Sequence, residues 1–221
     1  SITDAKGITE EQSFEFYPYM LDPATITIGS SGKFLNVKAS VNAKKSFIKV
    51  FKEGKQQAFD NAIEIMAFDA RQAQDIAEAI KYLAKNGKPK DKVWGDKQSA
   101  MKFITENVGD LKSEGKEVKQ KIELTNNDPC KISFTVSNID EKGKTTDEIY
   151  EFSLSDMNKI IVDLKVSGKI VKVILTCKNK EKLVKVYKNG AQQAWGTDVE
   201  IESNDVETAK NIAEALKSAI A

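Results

Sequence analysis

Two stretches decide the architecture. Lys49-Val50-Phe51-Lys52-Glu53-Gly54-Lys55-Gln56-Gln57-Ala58-Phe59 returns as Lys185-Val186-Tyr187-Lys188-Asn189-Gly190-Ala191-Gln192-Gln193-Ala194-Trp195, 136 residues further along the chain. Ile76-Ala77-Glu78-Ala79-Ile80-Lys81 returns at the same spacing as Ile212-Ala213-Glu214-Ala215-Leu216-Lys217. Laying residues 1–85 on 137–221 gives about 28 identical pairs in 85 with no gap. Ser31-Gly32-Lys33 then falls on Ser167-Gly168-Lys169, and Asp4-Ala5-Lys6-Gly7 on Asp140-Glu141-Lys142-Gly143. Such self-similarity marks a repeated structural unit, which the remaining reading has to respect.

The second copy displays the whole unit. Val118, Ile122 and Leu124 share one parity, Asn126-Asn127-Asp128-Pro129 turns the chain, and Ile132, Phe134 and Val136 alternate with polar residues. Period-two patterns bounded by Asn, Asp, Pro and Gly predict half-buried antiparallel strands. Tyr150, Phe152 and Leu154 alternate next; a strand is predicted around Ile161–Lys165, and Val171, Val173, Leu175 and Cys177 line one face of another. Asn189-Gly190 suits a two-residue hairpin turn because both positions tolerate positive φ, and Trp195, Val199 and Ile201 carry the last inward face. Each copy then closes with a helix. Asp69 with Gln72, and Asp205, supply N-caps, followed by apolar stripes at Ala73, Ile76, Ala77, Ile80 and at Ala209, Ile212, Ala213, Leu216.

Roughly seven antiparallel strands and a C-terminal helix resemble, in element order, the pleckstrin-homology-like fold. That resemblance implies an α+β chain of two homologous units, each a bent antiparallel sheet or barrel closed by its helix. A plain sheet packed on a helix is the competing architecture. No signature residues of a particular family within that fold occur, so no site residues follow from it. The predicted organisation is a first unit over 1–87, a linker and connector helix over 88–115, and a second unit over 116–221. The breaker-rich Asn86–Lys92 reads as linker, and Ala100, Phe103, Ile104, Val108 and Leu111 give the connector its helical spacing. The first copy lacks any counterpart of the Glu117–Val136 hairpin. A segment upstream in the natural protein, the connector helix, or a neighbouring chain is expected to cover that edge, which also offers a route to self-association.

Composition narrows the functional classes. Thirty-four basic against thirty-three acidic residues leave a net charge of +1, and 40% hydrophobic with 30% charged residues describes a globular chain. No dense basic cluster is present, and the lysines of Lys44-Lys45 and Lys178-Asn179-Lys180 are not interleaved with aromatics. This argues against nucleic acid and anionic membranes as partners. No apolar stretch is long enough for a transmembrane helix. Ser30-Ser31-Gly32-Lys33 lacks the first glycine of a phosphate-binding loop. Histidine is absent altogether, which removes the commonest general base and metal ligand.

The remaining candidates are few. Cys177 stands where the first copy has Val41, so it reads as a small buried hydrophobe; Cys130 has no histidine to activate it. Glu64 and Glu200 occupy equivalent, outward positions. Gln56, Gln57, Gln192 and Gln193 sit beside a hairpin in both copies, and their amides can donate and accept, so they are the candidate binding residues. Phe59 and Trp195 share the parity of the core. No catalytic residues, metal site or cofactor are predicted. The function expected is a non-enzymatic binding or scaffolding module for a protein or peptide; a peripheral lipid or small-ligand binder is the alternative, and a carboxylate-type enzyme the third reading. Equivalent burial is expected for Phe16 and Phe152, Val37 and Val173, Ile65 and Ile201, and Ile76 and Ile212.

Overall fold

The computed structural model describes residues 2–3, 9–32, 34–88, 92, 94–113, 116–125, 128 and 130–220. Among them it is mixed α+β, with several antiparallel sheets and three α-helices, the last at the C-terminal end. The chain divides into two compact units, Ser1–Asp91 and Lys92–Ala221. The turns expected at Asp4–Gly7 and Asn126–Pro129, and much of the linker, lie wholly or mostly outside the described residues.

The first unit begins with a short hairpin, β1 (Ile2–Thr3) and β2 (Thr9–Glu10). β3 (Gln12–Glu15), β4 (Thr27–Ser31), β5 (Phe34–Ser40), β6 (Lys49–Lys52), β7 (Lys55–Gln56), β8 (Ala62–Ala67) and α1 (Ala70–Asn86) follow. They form two three-stranded sheets in the orders β3-β6-β7 and β4-β5-β8. The second unit starts with α2 (Lys97–Asn107), then β9 (Leu111–Ser113), β10 (Lys116–Leu124), β11 (Lys131–Ile139) and β12 (Thr145–Ser153). β13 (Met157–Ser167), β14 (Ile170–Cys177), β15 (Lys185–Lys188), β16 (Ala191–Gln192), β17 (Asp198–Ser203) and α3 (Val206–Ala219) complete it. Its sheets run β16-β15-β12-β11-β10-β9 and β13-β14-β17.

Backbone pairing repeats with the sequence. Phe14 opposes Val50 as Tyr150 opposes Val186; Ile28 opposes Val37 as Leu164 opposes Val173; Val37 opposes Ile65 as Val173 opposes Ile201. The turns repeat as well. Glu53-Gly54 and Asn189-Gly190 both take positive φ, as the two-residue hairpin demands. After β5 and β14, two consecutive non-glycine residues are left-handed, Ala43-Lys44 and Asn179-Lys180. Such residues are rare in that region because Cβ crowds the following carbonyl. Two different sequences hold the same strained turn, so the surrounding strands impose it.

The helices start where side-chain caps replace missing backbone acceptors. Asp69 accepts from the Gln72 N–H, Asp96 from Ser99 and Asp205 from Thr208. Gly87 closes α1: its N–H reaches the Leu83 carbonyl at 2.7 Å, and a Cβ there would stand 2.5 Å from that oxygen. α1 packs on the β4-β5-β8 sheet and α3 on β13-β14-β17, while α2 packs against α3 and β10. The predicted connector helix is therefore part of the second unit's core, with Ala100, Met101 and Ile104 buried.

Burial is not symmetrical. Val37 and Val173 are both sealed, and Phe152, Ile201 and Ile212 are buried. Their first-unit counterparts Phe16, Ile65 and Ile76 are only half-buried, which departs from the expected equivalence. Trp195 also departs from expectation. Phe59 is buried, but Trp195 is 41% exposed, with the Lys185 ammonium 5.7 Å from its ring centroid.

Candidate binding surface

The second unit shows what the uneven burial means. Its β12 is paired on both flanks, by β11 and by β15. Beside it, the Phe134 and Tyr150 rings lie 6.0 Å apart, and Ile132 opposes Phe152. β10 is tied to the other sheet through Gln120. This buried amide donates to the carbonyls of Gly109 (3.0 Å) and Glu202 (2.9 Å), and its Oε1 accepts from the Glu202 N–H (2.8 Å). One side chain thus satisfies both backbone groups of Glu202 on the outer edge of β17, as a neighbouring strand would.

In the first unit the equivalent places are uncovered among the described residues. β3 is paired only with β6, and β8 only with β5. Glu53 N–H bonds to Glu11 C=O at one end of the β3-β6 ladder, and Gln57 N–H takes the Val50 carbonyl on the far side. Antiparallel pairs alternate between bonded and non-bonded, so Ser13 and Glu15 face β6 while Gln12 and Phe14 turn their N–H and C=O outward. In β12 the corresponding groups of Glu148 and Tyr150 face β11, opposite Val136 and Phe134. β1 opposes β2 just as Asn138–Ile139 opposes Thr145–Thr146. The outward edge of β3 therefore continues the line of β1, at the place filled in the second unit by Lys131–Val136.

The helix of the first unit, α1, is less covered than its counterpart α3. On α3 the buried arc includes Ala209, Ala213 and Leu216 and also Ile212, Ala215 and Ala219. On α1 only Ala73, Ala77 and Ile80 are buried. Ile76 is half-buried, Ala79 is exposed, and Leu83 is 45% exposed where Ala219 is 1%. Residues at i, i+3 and i+7 form one helical stripe, and α2 is the helix that packs on α3. Three of these positions, Phe16, Ile76 and Ala79, carry the same residue as their buried partners. At these three positions what differs is the cover, not the residue. The first unit also exposes Tyr17, Ile28, Phe34, Phe68 and Tyr82, and the second Leu124, Ile160, Ile161 and Trp195.

The glutamines selected from sequence lie elsewhere. Gln56 and Gln192 end the two-residue strands β7 and β16, at the opposite margin of each sheet from β3 and β9. Gln57 Nε2 donates to Lys55 C=O and Gln193 Nε2 to Ala191 C=O, both at 2.9 Å. These amides brace their own hairpins. The uneven burial along α1 and α3 had no place in the sequence reading. The signal that could have found it is Leu83 standing where the second copy has the smaller Ala219.

Among the described residues, Glu148 and Tyr150 are a hydrogen-bonded pair of titratable groups with shifted affinities. Glu148 accepts from the Tyr150 hydroxyl at 2.6 Å and from Lys188 at 2.9 Å. Those bonds hold its carboxyl below the usual range, while burial and the neighbouring carboxylate push the Tyr150 phenol up. Both shifts favour the resting protonation states. Cys177 is fully buried beside Met157, and burial raises its thiol pKa. Cys130 is half-buried, with the Lys97 ammonium 3.2 Å from its sulfur, and both cysteines are free. A surface hollow of about 480 Å³ between Asp22–Ala24 and Lys81/Lys85 is open and lined partly by charge. Among the described residues no helix is long and apolar enough to cross a membrane. No protein-family model matches the chain, and no curated protein or solved structure matches it.

Proposed function

We propose that this chain is a non-enzymatic binding or scaffolding module that recognises a protein or peptide segment by adding it to a sheet. It does so through two units of pleckstrin-homology-like element order. The observation that supports this is the outer edge of β3, where Gln12 and Phe14 turn backbone donors and acceptors away from β6, their only strand partner among the described residues. Unpaired edges are templates for a further strand, and main-chain bonds then supply affinity while alternate side chains supply selectivity. Half-buried Phe14 and Phe16 line the same margin. Pairing of β12 with β15 and of β14 with β17 departs from an uninterrupted meander, and the reading takes no ligand from any pleckstrin-homology family.

The lipid or small-ligand alternative calls for an enclosed apolar cavity or a basic patch. The hollow beside Lys81 and Lys85 is neither. Selection of displayed ten-residue peptides against the full chain tests the proposal. Peptides with alternating apolar residues should be enriched, and Phe14→Pro should abolish their binding, because proline removes an edge N–H that the β3-β6 ladder does not use. Failure to enrich any peptide, together with binding to anionic vesicles, would overturn the proposal in favour of the lipid reading.

A further inference from the structure

Within the second unit, β13 lies at one end of the β13-β14-β17 sheet and is paired only with β14 among the described residues. We propose that two molecules of this chain associate by antiparallel pairing of β13 with β13, about a two-fold axis at Leu164. The surface is distinct from the β3 edge, and the inference does not rest on the function proposed above.

The backbone decides which residues can pair. β13 turns into β14 through Gly168-Lys169, with Ser167 opposite Ile170, and a two-residue turn makes that flanking pair hydrogen-bonded. By alternation Lys165 and Asp163 also bond to β14, whereas Val166, Leu164 and Val162 turn their N–H and C=O outward. Two observations agree with this. On β14, the Cys177 N–H bonds to the Thr197 carbonyl, so Val173 and Leu175, of the same parity, direct their groups to β17 and away from β13. The Leu164 N–H, in turn, is taken by Asp163 Oδ1 at 2.8 Å and not by β14.

Charge then selects one register. Asp163 and Lys165 flank Leu164, and both are exposed. An axis at Leu164 sets Leu164 against Leu164 and Val162 against Val166 as bonded pairs. It also sets Asp163 of each molecule against Lys165 of the other at non-bonded sites, where side chains come closest. Sliding one strand by two residues in either direction places Asp163 against Asp163 or Lys165 against Lys165, and like charges directly opposite are destabilising. Longer slides lose ladder, because β13 breaks register between Met157 and Val162.

The same residues guard the edge when it is unoccupied. Asp163 covers the Leu164 N–H, as charged side chains do on edge strands. In the pair, the Leu164 carbonyl of the other molecule takes that donor and the carboxylate turns to Lys165. A strand without a cation at that place gives Asp163 nothing in exchange. Leu164 and Val166 are half-buried beside the buried Val162, so the pairing also covers apolar surface. The equivalent strand of the first unit, β4, has Thr27 and Gly29 where β13 has Asp163 and Lys165. It offers neither charge, and a β4-β13 pairing would be heterologous, which adds molecules without closing unless the rotation makes a ring.

Sedimentation equilibrium of the full chain between about 1 and 200 µM tests the inference. The mass should rise with concentration from 24.5 kDa toward twice that value and stop there. Asp163→Lys and Lys165→Asp alter exposed side chains, and each should weaken the dimer at least about tenfold by opposing like charges. The double variant carrying both changes should recover it. An equimolar mixture of the two single variants should form a heterodimer, since each supplies the charge the other lacks. Glu106→Lys, an equal change of net charge to Asp163→Lys at an exposed position of α2, should leave the dimer intact. A chain monomeric throughout, an assembly that grows past the dimer, a dimer indifferent to the single changes, or a double variant no better than the single ones would each overturn the inference.

Discussion

At the residue scale, the decisive side chain is Gln120, because it joins a strand of the larger sheet to the edge of the smaller. Its amide is buried and makes three bonds to backbone groups. Truncation to alanine would strand the Glu202 N–H in particular, and leaving one such group unsatisfied costs about 1–3 kcal/mol. Chemical denaturation of Gln120→Ala should register a loss of that size; a change within ~0.5 kcal/mol, typical of a surface position, would mean the link contributes nothing. Glu148 allows a pH test. Its folded carboxyl lies below the usual range because of the Tyr150 and Lys188 hydrogen bonds. Its contribution is therefore present above the unfolded glutamate pKa and lost as pH falls through the lower folded value. Following the carboxyl by NMR should show an apparent pKa that rises in Tyr150→Phe, and an unchanged titration would contradict the assigned cause.

At the scale of elements, α1 and α3 compare like with like. Both lie on a three-stranded sheet with an aspartate cap, yet Ile76 is half-buried and Ile212 is sealed. Truncating a sealed isoleucine costs about 2–5 kcal/mol, because transfer and cavity terms add. Ile212→Ala should fall in that range, and Ile76→Ala should cost clearly less. Equal costs would show that the α1 flank is covered after all. Much of this level was legible in the sequence. Repeats, caps and hairpin turns are local, and Asp69, Asp205 and Asn189-Gly190 behave as their chemistry dictates. The uneven burial of Ile76 and Ile212 was not legible, since identical residues at identical register give no sign of what packs over them. Trp195 fails for a related reason: its parity matches the core, but its ring lies at the sheet margin against Lys185.

At the scale of the molecule, the repeat and its asymmetry carry the account together. Backbone registers recur at a spacing of 136 residues, while the cover supplied by α2 and the β10-β11 hairpin appears once among the described residues. The candidate glutamines came from conspicuous recurrence, but a surface that differs between two copies is found by asking what does not recur. Hydrogen exchange of individual amides in the free chain measures this most directly. Ser13 and Glu15 face β6 and should be protected; Gln12 and Phe14 face outward and should exchange at rates near those of an exposed strand edge. Their counterparts Glu148 and Tyr150, facing β11, should be slow. Protection of Gln12 and Phe14 as strong as that of Ser13 and Glu15 would mean the edge is already occupied, and would contradict the account.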